Sequence, residues 1–226
     1  MKGRQPARAV IWDMDGVIID SAPYHLKAWQ EVFTKRGLNF SDDDFRSSFG
    51  MRNDTIIGGF LGEGASGEEI AAIGQEKEAS FRLKIRQNPR PLPGVVALMA
   101  ALAERGLKMA IASSAPRENI ELVIDTLGIA RYFTVIISEK DVSRGKPEPD
   151  GYLLAAKRLG VKPENCVVIE DAIVGVTAAK RAGMHCLAVT NSHPRDSLND
   201  ADLVVDSLEE ISAGDIARLL DSPLQA

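Results

Sequence analysis

Short apolar runs constrain this chain more than any other feature. Five stand out, at residues 7–12, 107–112, 135–137, 166–169 and 186–189, and a weaker sixth lies at 203–205. Each is too short for a helix and rich in β-branched residues. None alternates with polar residues as a strand with one wet face would, so they read as strands buried on both sides. Helical patterns fill the intervals at 94–104, 116–127, 151–159 and 173–182. Strands alternating with helices predict an α/β fold. Its parallel sheet is covered on both faces and joined by right-handed crossovers.

The alternation breaks once. Between residue 21 and about residue 89 there is no buried-strand pattern, only helical ones at 24–36, 41–47, 53–61 and 68–87. Ser66 followed by Glu69 has the form of a capping box for the last of these. The exit carries Pro89, Pro91 and Pro93 before Gly94, a stiff hinge. The expected organisation is therefore a core of residues 1–20 and 90–226, interrupted by a helical cap at 21–89.

Composition narrows the function classes. Apolar residues make up 45% and charged residues 26% of the 226, enough for a sizeable core and against wholesale disorder. A net charge of −5 and 5% aromatics argue against a nucleic-acid partner. No apolar run reaches membrane-spanning length. The N-terminus meets Asp13 before a signal-type apolar stretch can form, so a soluble, cytoplasmic, monomeric protein is expected. Cys166 and Cys186 sit in apolar strings, VVI after the first and LAV after the second. They read as reduced core residues, which excludes a disulfide scaffold or a thiolate-rich zinc site.

Ligands of parallel α/β sheets bind beyond the carboxyl ends of the strands. The first run ends in Asp13-Met14-Asp15-Gly16, the second in Ser113-Ser114 and the fourth in Glu170-Asp171. The loop after the third carries Arg144-Gly145-Lys146-Pro147. Crowded carboxylates repel one another unless a cation lies among them, and hard oxygen donors suit Mg²⁺. Lys146 and Ser113 can then receive phosphate oxygens. Screening of that kind lets an aspartate attack phosphorus, while a second acid, its pKa raised by its surroundings, protonates the leaving oxygen.

DMDGVIIDS at 13–21, ASS at 112–114, GKPEPD at 145–150 and IEDAIVG at 169–175 together resemble the haloacid dehalogenase superfamily, in its β-phosphoglucomutase and sugar phosphatase branch. The likeness covers nearly the whole chain. It implies a Rossmann-like core with an inserted helical cap. Asp13 would be the nucleophile and Asp15 the acid/base, its main-chain carbonyl on Mg²⁺. Ser113, Ser114 and Lys146 would bind phosphate. Asp13, Asp15 and Asp171 would hold the metal, and Glu170 would ligate it directly or hold a metal water. Tyr24-His25 and Ala28-Trp29 also match the branch, with His25 near the acid/base. An acid at Asp15 favours phosphate esters over the family's dehalogenase and phosphonatase chemistries.

The resemblance implies an Mg²⁺-dependent phosphatase of a small phosphorylated metabolite, a sugar phosphate by class. The first alternative is a β-phosphoglucomutase, which needs a cap arginine for a second phosphate. Here Arg52 is displaced by one position and Asn53 stands in its place. Arg117 is a shifted substitute for the lysine that follows the mutase's second motif. The second alternative is a non-catalytic phosphate-binding regulator. GxGxxG at 62–67 falls inside the helical insert and reads as an interhelix loop rather than a nucleotide fingerprint. Arg82, Lys84, Arg86 and Arg90 read as a solvated helix face.

Overall fold

A computed structural model describes residues 6–62, 64–87 and 89–224. Six strands, β1 (Ala9–Trp12), β2 (Lys108–Ala112), β3 (Val135–Ile137), β4 (Cys166–Glu170), β5 (His185–Val189) and β6 (Leu203–Val205), form one parallel sheet. Their order is β3-β2-β1-β4-β5-β6. The order reverses between β1 and β4, so the ligand crevice opens where those two strands end. Register makes the ends level: Trp12 pairs with Ile111 on one side and Ile169 on the other.

Four helices follow β1 before the sheet resumes: α1 (Ala22–Thr34), α2 (Asp42–Ser48), α3 (Asn53–Leu61) and α4 (Gly67–Ile85). The rest are α5 (Val95–Glu104), α6 (Arg117–Thr126), α7 (Asp150–Leu159), α8 (Ile173–Arg181) and α9 (Ala213–Asp221). Alternate residues along each strand face opposite layers. Val10, Trp12, Ile111 and Ile169 pack with α5, α6 and α9, whereas Ile11, Ala110, Val168 and Cys186 pack with α7 and α8. All four residues of β1 are fully buried, as its unbroken apolar run requires. Boundaries differ from the sequence reading by a residue or two. Helix α9 is an addition to that reading. It buries Ala213, Ile216 and Leu220 on one face, and Ser212 caps it.

The inserted helices have their own apolar cluster, built around Trp29, Phe33, Phe40, Ile57 and Ile73. Phe33 and Phe40 stack with ring centroids 5.3 Å apart, and Phe60 tilts against both. Ser66 caps α4 by accepting from the Glu69 amide. The segments entering and leaving the insert lie side by side. Ile19 bridges Pro91 antiparallel, and the Leu92 amide donates to Ile18 O at 2.9 Å. Gly62 ends α3 and leads through the loop to α4; Glu63 of that GxGxxG string lies outside the described residues, as does Asn88 near the hinge. Cys166 and Cys186 are buried free thiols, with burial pushing Cys166 up to about 12. Among the described residues no helix is long and apolar enough to cross a membrane.

Candidate active site

The end of β1 delivers Asp13 into the crevice, its amide tied to Ile169 O of β4 at 3.0 Å. Lys146 arrives from the loop after β3. Its Nζ donates to Asp13 Oδ1 at 2.6 Å and to Glu170 Oε1 at 2.5 Å. Glu170 also accepts from Tyr152 OH at 2.8 Å through Oε1. Its Oε2 accepts the amides of Asp171 at 2.7 Å and Ala172 at 2.9 Å, beside the N-terminus of α8. Two backbone and two side-chain donors thus hold a carboxylate with no solvent exposure. Glu170 orients Lys146 as much as it contributes charge.

Asp13, Glu170 and Asp171 offer carboxylate oxygens within 4.8 Å of one another. Burial pushes Asp13 up to about 7, with Lys146 opposing and the Glu170 and Asp15 charges adding to the rise. Burial also raises Asp171 well above the usual carboxylate range, helped by Glu170 and Asp13. Asp171 Oδ2 accepts from the Ser192 hydroxyl, and its buried Oδ1 has no hydrogen-bond partner among the described residues. Three buried acids facing one lysine, with one carboxylate oxygen unpartnered, fit a hard divalent cation such as Mg²⁺. Gly16 lets Asp171 approach. It adopts φ +79°, and a Cβ there would fall 1.8 Å from Asp171 Oδ2.

Ser113 and Ser114 follow β2 directly. Both line the clefts on either side of the crevice, and Lys146 lines one of them. Ser113 is held from two directions: its amide donates to Ile137 O at 3.1 Å, and its Oγ accepts the Ala115 amide at 3.1 Å.

The Asp15 side chain turns toward the insert. Its Oδ1 accepts from Ser21 Oγ at 2.5 Å and lies 3.2 Å from His25 Nε2. Lys77 of α4 donates to His25 Nδ1 at 2.7 Å and to Glu78 Oε1 at 2.7 Å. An ammonium only donates, so Nδ1 is the acceptor and Nε2 carries a proton directed at Asp15. His25 stacks on Phe81 with centroids 3.9 Å apart, which fixes the ring plane. Burial pushes the Asp15 carboxyl up, but His25, Ser21 and Lys77 outweigh it and hold the pKa below its ordinary value. The sequence reading expected a raised acid here. Burial alone would give that result, but the donors brought by the insert reverse it.

Of the cap residues expected to meet substrate, Asn53 lines the cleft and donates to Glu78 Oε1 at 2.8 Å. Arg52 turns away. Its guanidinium pairs with Asp54 at 3.1 Å and faces the carbonyls of Glu139 and Val142 at 3.4 and 3.3 Å. Arg117 donates to Ile136 O at 3.0 Å and Asp141 at 3.3 Å, so it braces the end of β3. Sequence reasoning missed Tyr152, Ser192, Lys77, Glu78 and Asn119. None is part of a motif, and each reaches the crevice only through tertiary packing. In the basic stretch, Arg82 donates to Asn119 Oδ1 at 2.8 Å and Lys84 to Glu31 at 2.6 Å.

The haloacid dehalogenase-like hydrolase family matches residues 7–183. The chain belongs to that family. It is 31% identical over 204 residues to validoxylamine A 7'-phosphate phosphatase of Streptomyces hygroscopicus subsp. limoneus, covering 90% of this chain and 95% of that one. It is 33% identical to hexitol phosphatase A of Escherichia coli (strain K12), over 91% of this chain and 93% of the relative. The crystal structure of β-phosphoglucomutase from Clostridium difficile superposes with a TM-score of 0.88 at 29% identity, over 95% of this chain and 97% of the other. The family relationship makes this chain an enzyme of the haloacid dehalogenase-like hydrolases, with phosphatases and a phosphoglucomutase among its relatives.

Proposed function

We propose that the protein is an Mg²⁺-dependent phosphatase of small phosphorylated metabolites, sugar phosphates by class. The observation that carries the reading is the convergence of Asp13, Glu170 and Asp171 at the sheet's switch point, beside Lys146 and Ser113. Asp13, Asp171 and the Asp15 carbonyl would hold the ion, with Glu170 holding Lys146 and the ion's surroundings. Bound there, Mg²⁺ would neutralise charge on the phosphoryl oxygens and the carboxylates.

The residues then divide the work. Lys146, Ser113 and Ser114 hold the phosphoryl oxygens. Asp13 attacks phosphorus and forms an aspartyl-phosphate. Asp15 protonates the leaving oxygen, then takes the proton of the water that hydrolyses the intermediate. Its lowered pKa suits the second role, and the His25 Nε2–H holds it in place for both. Residues 21–89 act as a cap that closes over the core of 1–20 and 90–226 and limits access of bulk water. The phosphatase reading is preferred over the mutase because the Arg52 and Arg117 guanidiniums are both engaged by core carbonyls, Arg52 at the edge of the cleft that carries Lys146.

The test is phosphate release from a metabolite panel, with and without Mg²⁺, for the wild type and Asp13→Asn. The variant should lose about a thousandfold or more in kcat, with its melting temperature within a few degrees of the wild type. Near-normal release by the variant would overturn the mechanism. Faster formation of an isomeric phosphate than of free phosphate from β-glucose 1-phosphate would favour the mutase.

A further inference from the structure

The loop after β5, residues 190–195, belongs to none of the sequence motifs, yet it reaches the acids of the crevice. Both of its ends are tied to the end of β6. The Thr190 amide donates to Val205 O at 3.0 Å, and Thr190 Oγ1 donates to Asp206 Oδ1 at 2.8 Å. At the other end, Arg195 donates to the same Asp206 oxygen at 2.9 Å and to Val204 O at 2.6 Å. Asn191 and Ser192 lie between these two anchors, so the loop presents them in a set position.

Ser192 spends its single hydroxyl proton on Asp171 Oδ2. Asp171 is fully buried, and its Oδ1 is the oxygen left without a partner among the described residues. Asn191 Nδ2 donates to Gly16 O at 2.8 Å, while the Gly16 amide donates to Ile19 O at 2.9 Å. The Gly16 N–H and the Asp15 carbonyl belong to one planar peptide unit, so the bond to Ile19 sets the direction of that carbonyl. The Asn191 bond holds the next peptide. Gly16 is thus gripped on both sides, and it packs directly on the loop: a Cβ there would fall 2.8 Å from Ser192 Oγ.

We propose that Asn191 and Ser192 are positioning residues for the divalent ion. Ser192 turns Asp171 so that Oδ1 is the oxygen offered, and Asn191 holds the Asp15–Gly16 turn so that the Asp15 carbonyl is offered beside it. This rests on the Mg²⁺ reading above and adds to it a chain segment that carries no ligand of its own. Partners of this kind orient ligands without touching the ion, and their removal lowers metal affinity. Mg²⁺ demands near-octahedral geometry, whereas Ca²⁺ accepts irregular coordination. Loss of orientation therefore costs Mg²⁺ more than Ca²⁺, a signature that general loosening of the fold does not produce.

The test is calorimetric titration of the full chain with MgCl₂ and with CaCl₂, without substrate. Ser192→Ala should weaken Mg²⁺ binding about tenfold to a hundredfold and Ca²⁺ binding distinctly less. Asn191→Leu, which keeps the side-chain bulk and removes the amide, should shift both affinities the same way. Thr190→Val is the comparison: it removes a hydrogen bond of the same loop that reaches only Asp206, where Arg195 still holds, and should change either affinity by about twofold or less. Asn191 is exposed, so its variant decides the matter if Ser192→Ala does not fold. Unchanged Mg²⁺ affinity in both variants, or equal losses for the two ions matched by Thr190→Val, would overturn the proposal and leave the metal site standing. A wild type that bound neither ion, or an Asp171→Asn variant that bound Mg²⁺ as well as the wild type, would overturn the metal reading itself.

Discussion

Glu170 is the most constrained side chain in the crevice, and its neighbour Gly175 shows how little room it has. A Cβ on Gly175 would lie 1.7 Å from Glu170 Oε1 and 2.0 Å from its Cδ. The carboxylate has nowhere to retreat, because Lys146, Tyr152 and two backbone amides hold both oxygens. Gly175→Ala should therefore move Glu170 and release Lys146 from its set direction. We expect a loss of about 1–3 kcal/mol in stability, the usual range for overpacking, and a fall in kcat of about a hundredfold as phosphate binding degrades. Melting curves and steady-state rates check it, with Ile173→Ala as a comparison. Ile173 opens the same helix but is 43% exposed, so its removal should leave both readings nearly unchanged.

At the scale of elements, the insert is laced by charged pairs as well as by its aromatic cluster. Glu31 of α1 accepts from Ser80 at 2.8 Å and Lys84 at 2.6 Å of α4, and lies 3.5 Å from Lys35. The Lys84 and Ser80 hydrogen bonds hold its carboxyl at about 2, below the ordinary 4.5. A carboxyl whose pKa is lowered by folding stabilises the native state above the unfolded value, and loses that contribution as pH falls toward the folded one. Glu31→Gln should thus melt below the wild type at neutral pH, and the gap should close between about pH 4.5 and pH 2. The side chain is 42% exposed, so the gap should stay under about 1 kcal/mol. These helices were legible from sequence because apolar spacing and caps are local signals. The same signal was present in α9, where Ala213, Ile216 and Leu220 recur at helical spacing behind Ser212. The acids and lysine of the crevice were legible for a related reason: each follows a strand directly, or lies in a short loop set off by glycine and proline. Lys77 and Glu78 gave no such signal. In the sequence they are two charges on a polar helix, and only the packing of α4 against α1 and α6 buries them.

The whole molecule depends on how the insert meets the core, and the chain crosses between them only at paired segments near Ile19 and Pro91. A further contact between them is made by Arg52. The Arg52 stem packs on Gly145, where a Cβ would fall 2.7 Å from Arg52 Cδ, and its guanidinium faces the carbonyls of Glu139 and Val142. Gly145 adjoins Lys146, so this contact joins the edge of the insert to the loop that presents the phosphate-binding lysine. A latch of this kind restricts opening without touching the substrate. Arg52→Ala should speed amide exchange in residues 139–146 and raise KM about three- to tenfold, with a smaller effect on kcat. Arg52→Lys cannot reach both carbonyls in the same fixed geometry and should restore only part of the protection. If exchange in that loop were unaltered and only bisphosphate substrates lost affinity, Arg52 would be a substrate ligand that swings inward, and the mutase reading would gain the cation it lacks here.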